Sequence, residues 1–417
     1  MPATTAQTSV LERFLRYVQL DTASDPASAT VPSTAKQLVL LDLLVQELKA
    51  LGLADAARDE FGIVMATLPP TTQRKDTPVI GFLAHVDTSP ELSGAGVKPI
   101  VHRDYDGRDL VLPDVPNLVL SPGADQDLAG KRGEDIVTAS GGTLLGADDK
   151  AGVAVVMAAV EHLVKNPATA HGPIRIAFTP DEEIGRGVRH FDVKRFGARY
   201  AYTLDGAGLG TLEAETFSAD SMTVTFQGRN THPGFAHGVM VNAVKVAADF
   251  VNRLPKDTLS PERTRDKEGF VHPNDITASV DATSVHFIIR DFETAQLAVK
   301  EELLRKLAAE TVRDWPGSSA SFDVKETYRN MRDAIARHPR ILELARESIR
   351  EAGLTPTESR IRGGTDGSIL TEMGLPTPNL FSGQHRFHSR LEWVSVQDME
   401  AAAKVVVNLA RLWEQKG

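Results

Sequence analysis

Apolar runs and helical repeats alternate along the chain as far as Glu213, and the pattern changes after it. Residues 80–86, 174–179 and 200–204 are largely apolar, as strands buried on both faces of a parallel sheet are. Residues 10–20 and 35–52 repeat apolar positions at helical spacing. Residues 148–163 predict a further helix despite Gly152. From 91 to 138 Gly, Pro and Asp are frequent, which predicts loops with short strands. Strands alternating with helices predict an α/β fold, a mixed sheet with helices on both faces.

Beyond Glu213 the strands become one-sided. Residues 221–227 and 319–327 alternate polar and apolar, and 277–291 predicts a long strand or a strand pair. Residues 242–254 and 293–312 predict helices, so this stretch reads as an α+β layer with both helices on one face of a sheet. From about Asn330 the α/β character returns, with helices at 341–352 and 396–412 and a Gly-rich loop at 363–367. The expected organisation is one domain over 1–216 and 329–417, interrupted by an inserted α+β domain over 217–328.

Length agrees with two domains, since 417 residues exceed the roughly 250–300 at which one core usually splits. The formal net charge of −10 argues against a nucleic-acid partner, which needs a basic face. With no cysteine, any metal must be held by His and carboxylates. The longest apolar stretch, near 151–159, is shorter than the ~20 residues of a membrane span. Met1-Pro2-Ala3-Thr4-Thr5 has no basic segment leading into an apolar one, so no signal peptide and a cytoplasmic location are expected.

The chemistry gathers where apolar strands end. His85 and Asp87 close one of them, and alternation points both the same way. A carboxylate beside an imidazole holds a metal-ligating His in one tautomer. Alone, a His near a strand end is more often a satisfied core or surface residue. Asp148 and Asp149 follow Gly146 at a helix start, where Asp serves as a cap or projects into the cleft at the sheet's carboxyl edge. Asp181, Glu182 and Glu183 follow the next strand, either as a solvated loop or with one acid on a cation and its neighbour free to take a proton from water. Asp205 ends a third strand, His385 and His388 lie near the C-terminus, and His232 falls in the insert. Each alone is ordinary. Together, three strands end in acids or His at one topological edge.

These segments resemble the dinuclear-zinc exopeptidase and deacylase family that holds carboxypeptidase G and succinyl-diaminopimelate desuccinylase. The carrying motifs are GADDKAG at 146–152, PDEEIGRG at 180–187 and RGGTDG at 362–367, with GFLAHVD at 81–87 and THPG at 231–234. The resemblance covers nearly the whole chain. It implies two divalent metal ions, zinc, bridged by Asp148, one also held by His85 and Asp205 and the other by Glu183 and His388. Asp87 would orient His85, Glu182 would be the general base and His232 an oxyanion donor. The inserted domain would act as a lid over a catalytic metal-binding domain. Asp at 205 resembles the aminopeptidase choice, whereas carboxypeptidase relatives carry Glu. Around the last ligand the chain reads SGQHRFHSRLEW, where relatives have a glycine-glycine-tyrosine-asparagine-tyrosine run, and His385 competes with His388. Arg290, Asn330 and Arg362 are candidates for the substrate's carboxylate, because an arginine fork matches it bidentately. An ion pair to Asp291 or Glu293 is the other reading of Arg290.

The expected activity is removal of the N-terminal residue from short peptides, tripeptides among them. The alternatives are a carboxypeptidase or N-acyl-amino-acid deacylase on the same scaffold, or a metal-binding protein without catalysis. The expected partners are peptide substrates, with no nucleic acid and no membrane, and a second copy of the chain through the lid.

Overall fold

The computed structural model describes residues 8–417. The described residues divide into two compact units, one of residues 8–214, 331–360 and 365–417, the other of 215–330 and 361–364.

An eight-stranded mixed sheet forms the frame of the first unit. Its order is Ala57–Arg58, Val64–Leu68, Ile174–Thr179, Ile80–His85, Tyr200–Gly206, Asn379–Phe381, Thr211–Thr216, Thr357–Ile361. The four strands from Ile174–Thr179 to Asn379–Phe381 run parallel, so their carboxyl ends share one edge. Antiparallel partners flank them on both sides. Every residue of Ile80–His85 is buried, as strands covered on both faces require.

One face carries Phe82 and Tyr202, stacked with ring centroids 6.0 Å apart. There the Tyr202 hydroxyl donates to the Ile341 carbonyl and accepts from Trp413 Nε1, tying the sheet to helices Pro339–Glu351 and Val396–Lys416. On the other face Leu83, Ala177 and Ala201 pack with Val188, Phe191, Phe196 and Leu370. Alternation along each strand assigns the two sets to opposite faces.

The helix Ala147–Lys165 is buried along nearly all its length, and Asp148 and Asp149 at its start have non-helical backbone angles. Regular helix therefore begins after the two acids, later than the sequence pattern predicts. Gly152 is where the helix crosses the sheet. A Cβ there would stand 2.2 Å from the Leu204 carbonyl oxygen, so only glycine fits the approach.

A small sheet joins Gln384–His385, Trp393–Ser395, Ile136–Thr138 and Ile100–His102. It braces the C-terminal segment that carries His388.

The second unit is a four-stranded antiparallel sheet in the order Phe270–Ala278, Ala282–Asp291, Ser218–Gln227, Ser319–Tyr328. The stretch 277–291 is thus parts of two strands joined by a tight turn. Met222, Val224, Phe226, Val285, Phe287 and Ile289 point inward against Val246, Phe250, Leu297 and Leu304 of helices Ala243–Asn252 and Ala295–Asp314. The opposite face is polar, with Thr223 bonded to His286 and Thr225 to Ser284. Among the described residues no helix is long and apolar enough to cross a membrane.

Candidate metal centre

His85 is the last residue of its strand and pairs in register with Thr179, the last of the neighbouring strand. The acids that follow Thr179 therefore arrive beside His85 at the carboxyl edge. His85 is 3% exposed. Its Nε2 lies 3.0 Å from Asp148 Oδ1, 3.7 Å from Asp205 Oδ1 and 4.0 Å from Glu182 Oε2. Its Nδ1 faces the Asp87 carbonyl at 3.1 Å and the Asp87 carboxylate at 3.4 Å. Both are acceptors, so a neutral His85 keeps its proton on Nδ1 and presents the Nε2 lone pair.

A second group stands on the other side of Asp148. His388 Nε2 lies 2.8 Å from Glu183 Oε2 and 3.4 Å from Asp148 Oδ2. Asp148 thus turns one oxygen toward each histidine. In each of the two groups, His85–Asp148–Asp205 and Asp148–Glu183–His388, the donor atoms lie within 4.8 Å of one another.

Burial and mutual repulsion dominate the electrostatics. Glu183 is pushed up to about 8, first by burial and then by the charge of Asp148. Burial raises Glu182 well above its ordinary value, and the charges of Asp205, Asp366 and Glu183 add to this against the opposing pull of His85. Asp205 is raised by burial and by Asp148. Asp148 is held well below the carboxylate range, because hydrogen bonds from His388 and His85 outweigh its burial. Those bonds raise His85 and take His388 to about 11, again against burial. This many buried carboxyl groups ionise together only against positive charge.

The residues fit a pair of divalent ions. Glu183 Oε1 is buried without a hydrogen-bond partner, an open acceptor on a group that otherwise meets only His388. Imidazole and carboxylate donors suit zinc, and also cobalt or manganese.

A set of buried groups holds these donors in place. The Asp87 carboxylate accepts the backbone N–H of Glu182 at 2.9 Å and of Glu183 at 3.2 Å, so it fixes that loop as well as facing His85. Asp181 turns away and accepts from Ser33 and Gln37. Asp149 accepts the His85 N–H at 3.2 Å and the Gly152 N–H at 3.2 Å.

Sequence reasoning passed over two of the supporting acids. Glu392 is 1% exposed and accepts three N–H groups, from Leu145, Gly146 and Asp148. A charge set between Leu391 and Trp393 was its signal, since such a residue is buried only with partners. Asp366, inside RGGTDG, accepts the Thr179 hydroxyl at 2.6 Å, and burial pushes it up to about 7.

His385 joins neither donor group. Its ring stacks on Trp393 with centroids 4.1 Å apart, and burial lowers it to about 4.

The remaining candidates belong to the second unit. His232 caps the Pro233–Phe235 turn, its Nδ1 accepting the Gly234 N–H at 3.1 Å. The proton of neutral His232 is therefore on Nε2, which makes that nitrogen a donor. Arg290 Nη1 donates to the Arg362 carbonyl at 3.2 Å, while Asp291 takes Lys300 as its ion-pair partner. Arg362 spends its fork on the Asp266 and Glu268 carbonyls and the Thr264 hydroxyl. Asn330 bridges strand ends, accepting from Thr216 N–H and donating to the Phe292 carbonyl.

A hydrolytic site of two adjoining metal groups at the carboxyl edge of an α/β sheet is the class that this fold and geometry define, and the chain belongs to peptidase family M20/M25/M40, whose model matches residues 138–412. It is 46% identical to the peptidase T of a Geobacillus species (strain WCH70), over 98% of this chain and 99% of the relative. The peptidase T of Bacillus subtilis (strain 168) is also 46% identical, over 97% and 98%. A tripeptidase of Staphylococcus aureus has the same fold, with a TM-score of 0.76 at 21% identity and 99% of each chain covered.

Proposed function

We propose that this protein is a dinuclear-metal aminopeptidase that cleaves the N-terminal peptide bond of short peptides, tripeptides first. One observation carries the reading. Asp148 divides its two oxygens between two histidine-bearing donor groups, while Glu182 stands 4.0 Å from His85 and belongs to neither. The full-length likeness to proteins named peptidase T supports the substrate class.

In this reading His85, Asp148 and Asp205 would hold one ion, and Asp148, Glu183 and His388 would hold the other. Two such ions, taken as zinc, would supply Lewis acidity at the scissile carbonyl and a water whose pKa falls toward about 7. Glu182 is the group that would hold a proton taken from water and return it to the leaving amine, which requires a carboxylate free of other bonds. Burial suits it to the task by raising its proton affinity. Asp87 keeps both glutamates in register through their backbone N–H groups.

The domain over 217–328 acts as the lid. On closure His232 Nε2–H meets the carbonyl oxygen as it gains charge, a contribution of ~3–4 kcal/mol for donors of this type. Arg290 is the leading candidate for the peptide's carboxylate, since it donates through Nη1 alone whereas both Nη atoms of Arg362 are already committed. Asn330 lies at the neighbouring strand ends.

The deciding assay compares unmodified tripeptides with N-acetylated tripeptides and N-acyl amino acids on the metal-loaded protein. Release of the N-terminal residue from the free-amine peptides alone is the expected result. Equal or faster turnover of acylated substrates would replace the aminopeptidase reading with a deacylase.

A further inference from the structure

Gln384 lies four positions before His388, and it reaches the opposite donor group. Its Nε2 donates to Asp205 Oδ1 at 3.1 Å and to the Asp205 carbonyl at 3.2 Å. The side chain is 1% exposed, and its Oε1 is buried without a hydrogen-bond partner. Exchanging amide nitrogen and oxygen would set an oxygen against both Asp205 acceptors, so the contacts fix the amide's orientation. The fold leaves one buried acceptor unsatisfied to keep the NH2 group on Asp205.

The backbone on each side is equally constrained. Ser382 N–H donates to the Gly206 carbonyl at 2.7 Å and Gly383 N–H to the Ala207 carbonyl at 3.2 Å. Gln384 itself pairs with Val394 in the small sheet. Past it, Arg386 pairs with Asp125, which also accepts Trp393 Nε1. The amide is therefore delivered to Asp205 by a segment pinned on both sides.

We propose that Gln384 is a positioning residue for the first metal group. Its amide fixes the rotation of the Asp205 carboxylate and so sets the affinity of the His85–Asp148–Asp205 group, leaving the Glu183–His388 group unaffected. The proposal rests on the dinuclear reading above. A fully exposed carboxylate would rotate freely between one- and two-oxygen contacts. Occupying Oδ1 with a neutral donor restricts it without adding a charge, and partners of this kind typically change metal affinity ten- to a hundredfold when removed.

The test uses the full chain and measures zinc affinity by competition with a chromophoric chelator, independently of catalysis. Gln384→Met removes the donor at similar volume, and Gln384→Asn keeps an amide too short to reach. Each is placed in two backgrounds. His388→Ala leaves the His85 group as the better remaining site, and His85→Ala leaves the Glu183–His388 group. The expected result is a ten- to hundredfold loss in the His388→Ala background and less than a twofold change in the His85→Ala background. Equal losses in both backgrounds, or none in either, overturn the proposal, and thermal unfolding of the metal-free variants identifies a general loss of folding. If His85→Ala and His388→Ala each still bind two zinc ions as tightly as the parent, the dinuclear assignment itself fails. Should Gln384→Met not fold, Gln384→Asn decides the matter alone.

Discussion

The carboxylate of Glu392 accepts the backbone N–H of Asp148 at 3.0 Å, and through it Asp148, the acid common to both donor groups, is held from behind. The other oxygen of Glu392 accepts from Leu145 and Gly146, so one side chain closes the whole turn that precedes the helix. Three buried N–H groups lose their acceptor when Glu392 is removed. Glu392→Ala is expected to destabilise the protein by about 3–5 kcal/mol, because an unmet buried donor costs roughly 1–3 kcal/mol and the losses do not add fully. Glu392→Gln should do no better, since its NH2 group turns a donor toward N–H donors. Urea unfolding of the metal-free proteins measures both. A glutamine variant as stable as the parent would show that the turn does not depend on an acceptor at both oxygens.

Glu182 is the group assigned to proton transfer. Glu182→Ala should retain both metals and lose at least about a hundredfold in kcat, the scale of general-base catalysis. Metal analysis of the dialysed variant, run beside steady-state kinetics, separates the two effects. Loss of metal with loss of rate would make Glu182 a ligand instead.

Metal uptake should release protons. Without metal, burial holds Glu183 up and the neighbouring Asp148 and Glu183 carboxylates hold His388 up, so at pH 7 the Glu183–His388 pair keeps a proton that a cation must displace. Zinc affinity is therefore expected to rise as pH increases from about 6 to 8, and calorimetry in buffers of different ionisation heat should show proton release. An affinity flat across that range would contradict the donor assignment. Chelation should also lower Tm, since metal bound only to the folded state stabilises it by mass action.

Glu213, in the strand Thr211–Thr216, offers a pH signature. Burial pushes it from 4.5 up to about 7, partly offset by the Ser359 hydroxyl and reinforced by the charge of Asp205. The folded state therefore holds this proton more tightly than the unfolded chain does. Stability from this group is fully present below about 4.5 and is lost as pH rises toward 7. Glu213→Gln should flatten that part of the Tm-against-pH curve in the metal-free protein. An unchanged slope between pH 4.5 and 7 would place its origin elsewhere.

Much of the scaffold was legible in the chain because period reports burial. Runs such as 80–86 can lie only inside a sheet covered on both faces, and the change to alternation after Glu213 reports strands with one wet face. Helix starts were less legible. Asp148 and Asp149 read as ordinary first-turn acids, but their backbone is non-helical, and that departure is a tertiary feature of the turn Glu392 holds. The strand pair within 270–291 was blurred for a different reason. Its turn, at 279–281, interrupts an alternation that continues on either side.

The sequence by itself determined the inventory: buried strands ending in His85, Glu182–Glu183 and Asp205, an acid pair at 148–149, and no cysteine to compete as a ligand. It determined this because strand period and residue type are local properties. Only the tertiary structure decided how the inventory is divided. It brought His388 to Glu183 and placed His385 against Trp393, it turned the oxygens of Asp148 toward different histidines, and it set Glu392 and Gln384 behind the donors. Those relations join residues up to 244 positions apart, as from Asp148 to Glu392. Which of two nearby histidines faces a given carboxylate depends on how the intervening elements pack, and no local pattern carries that.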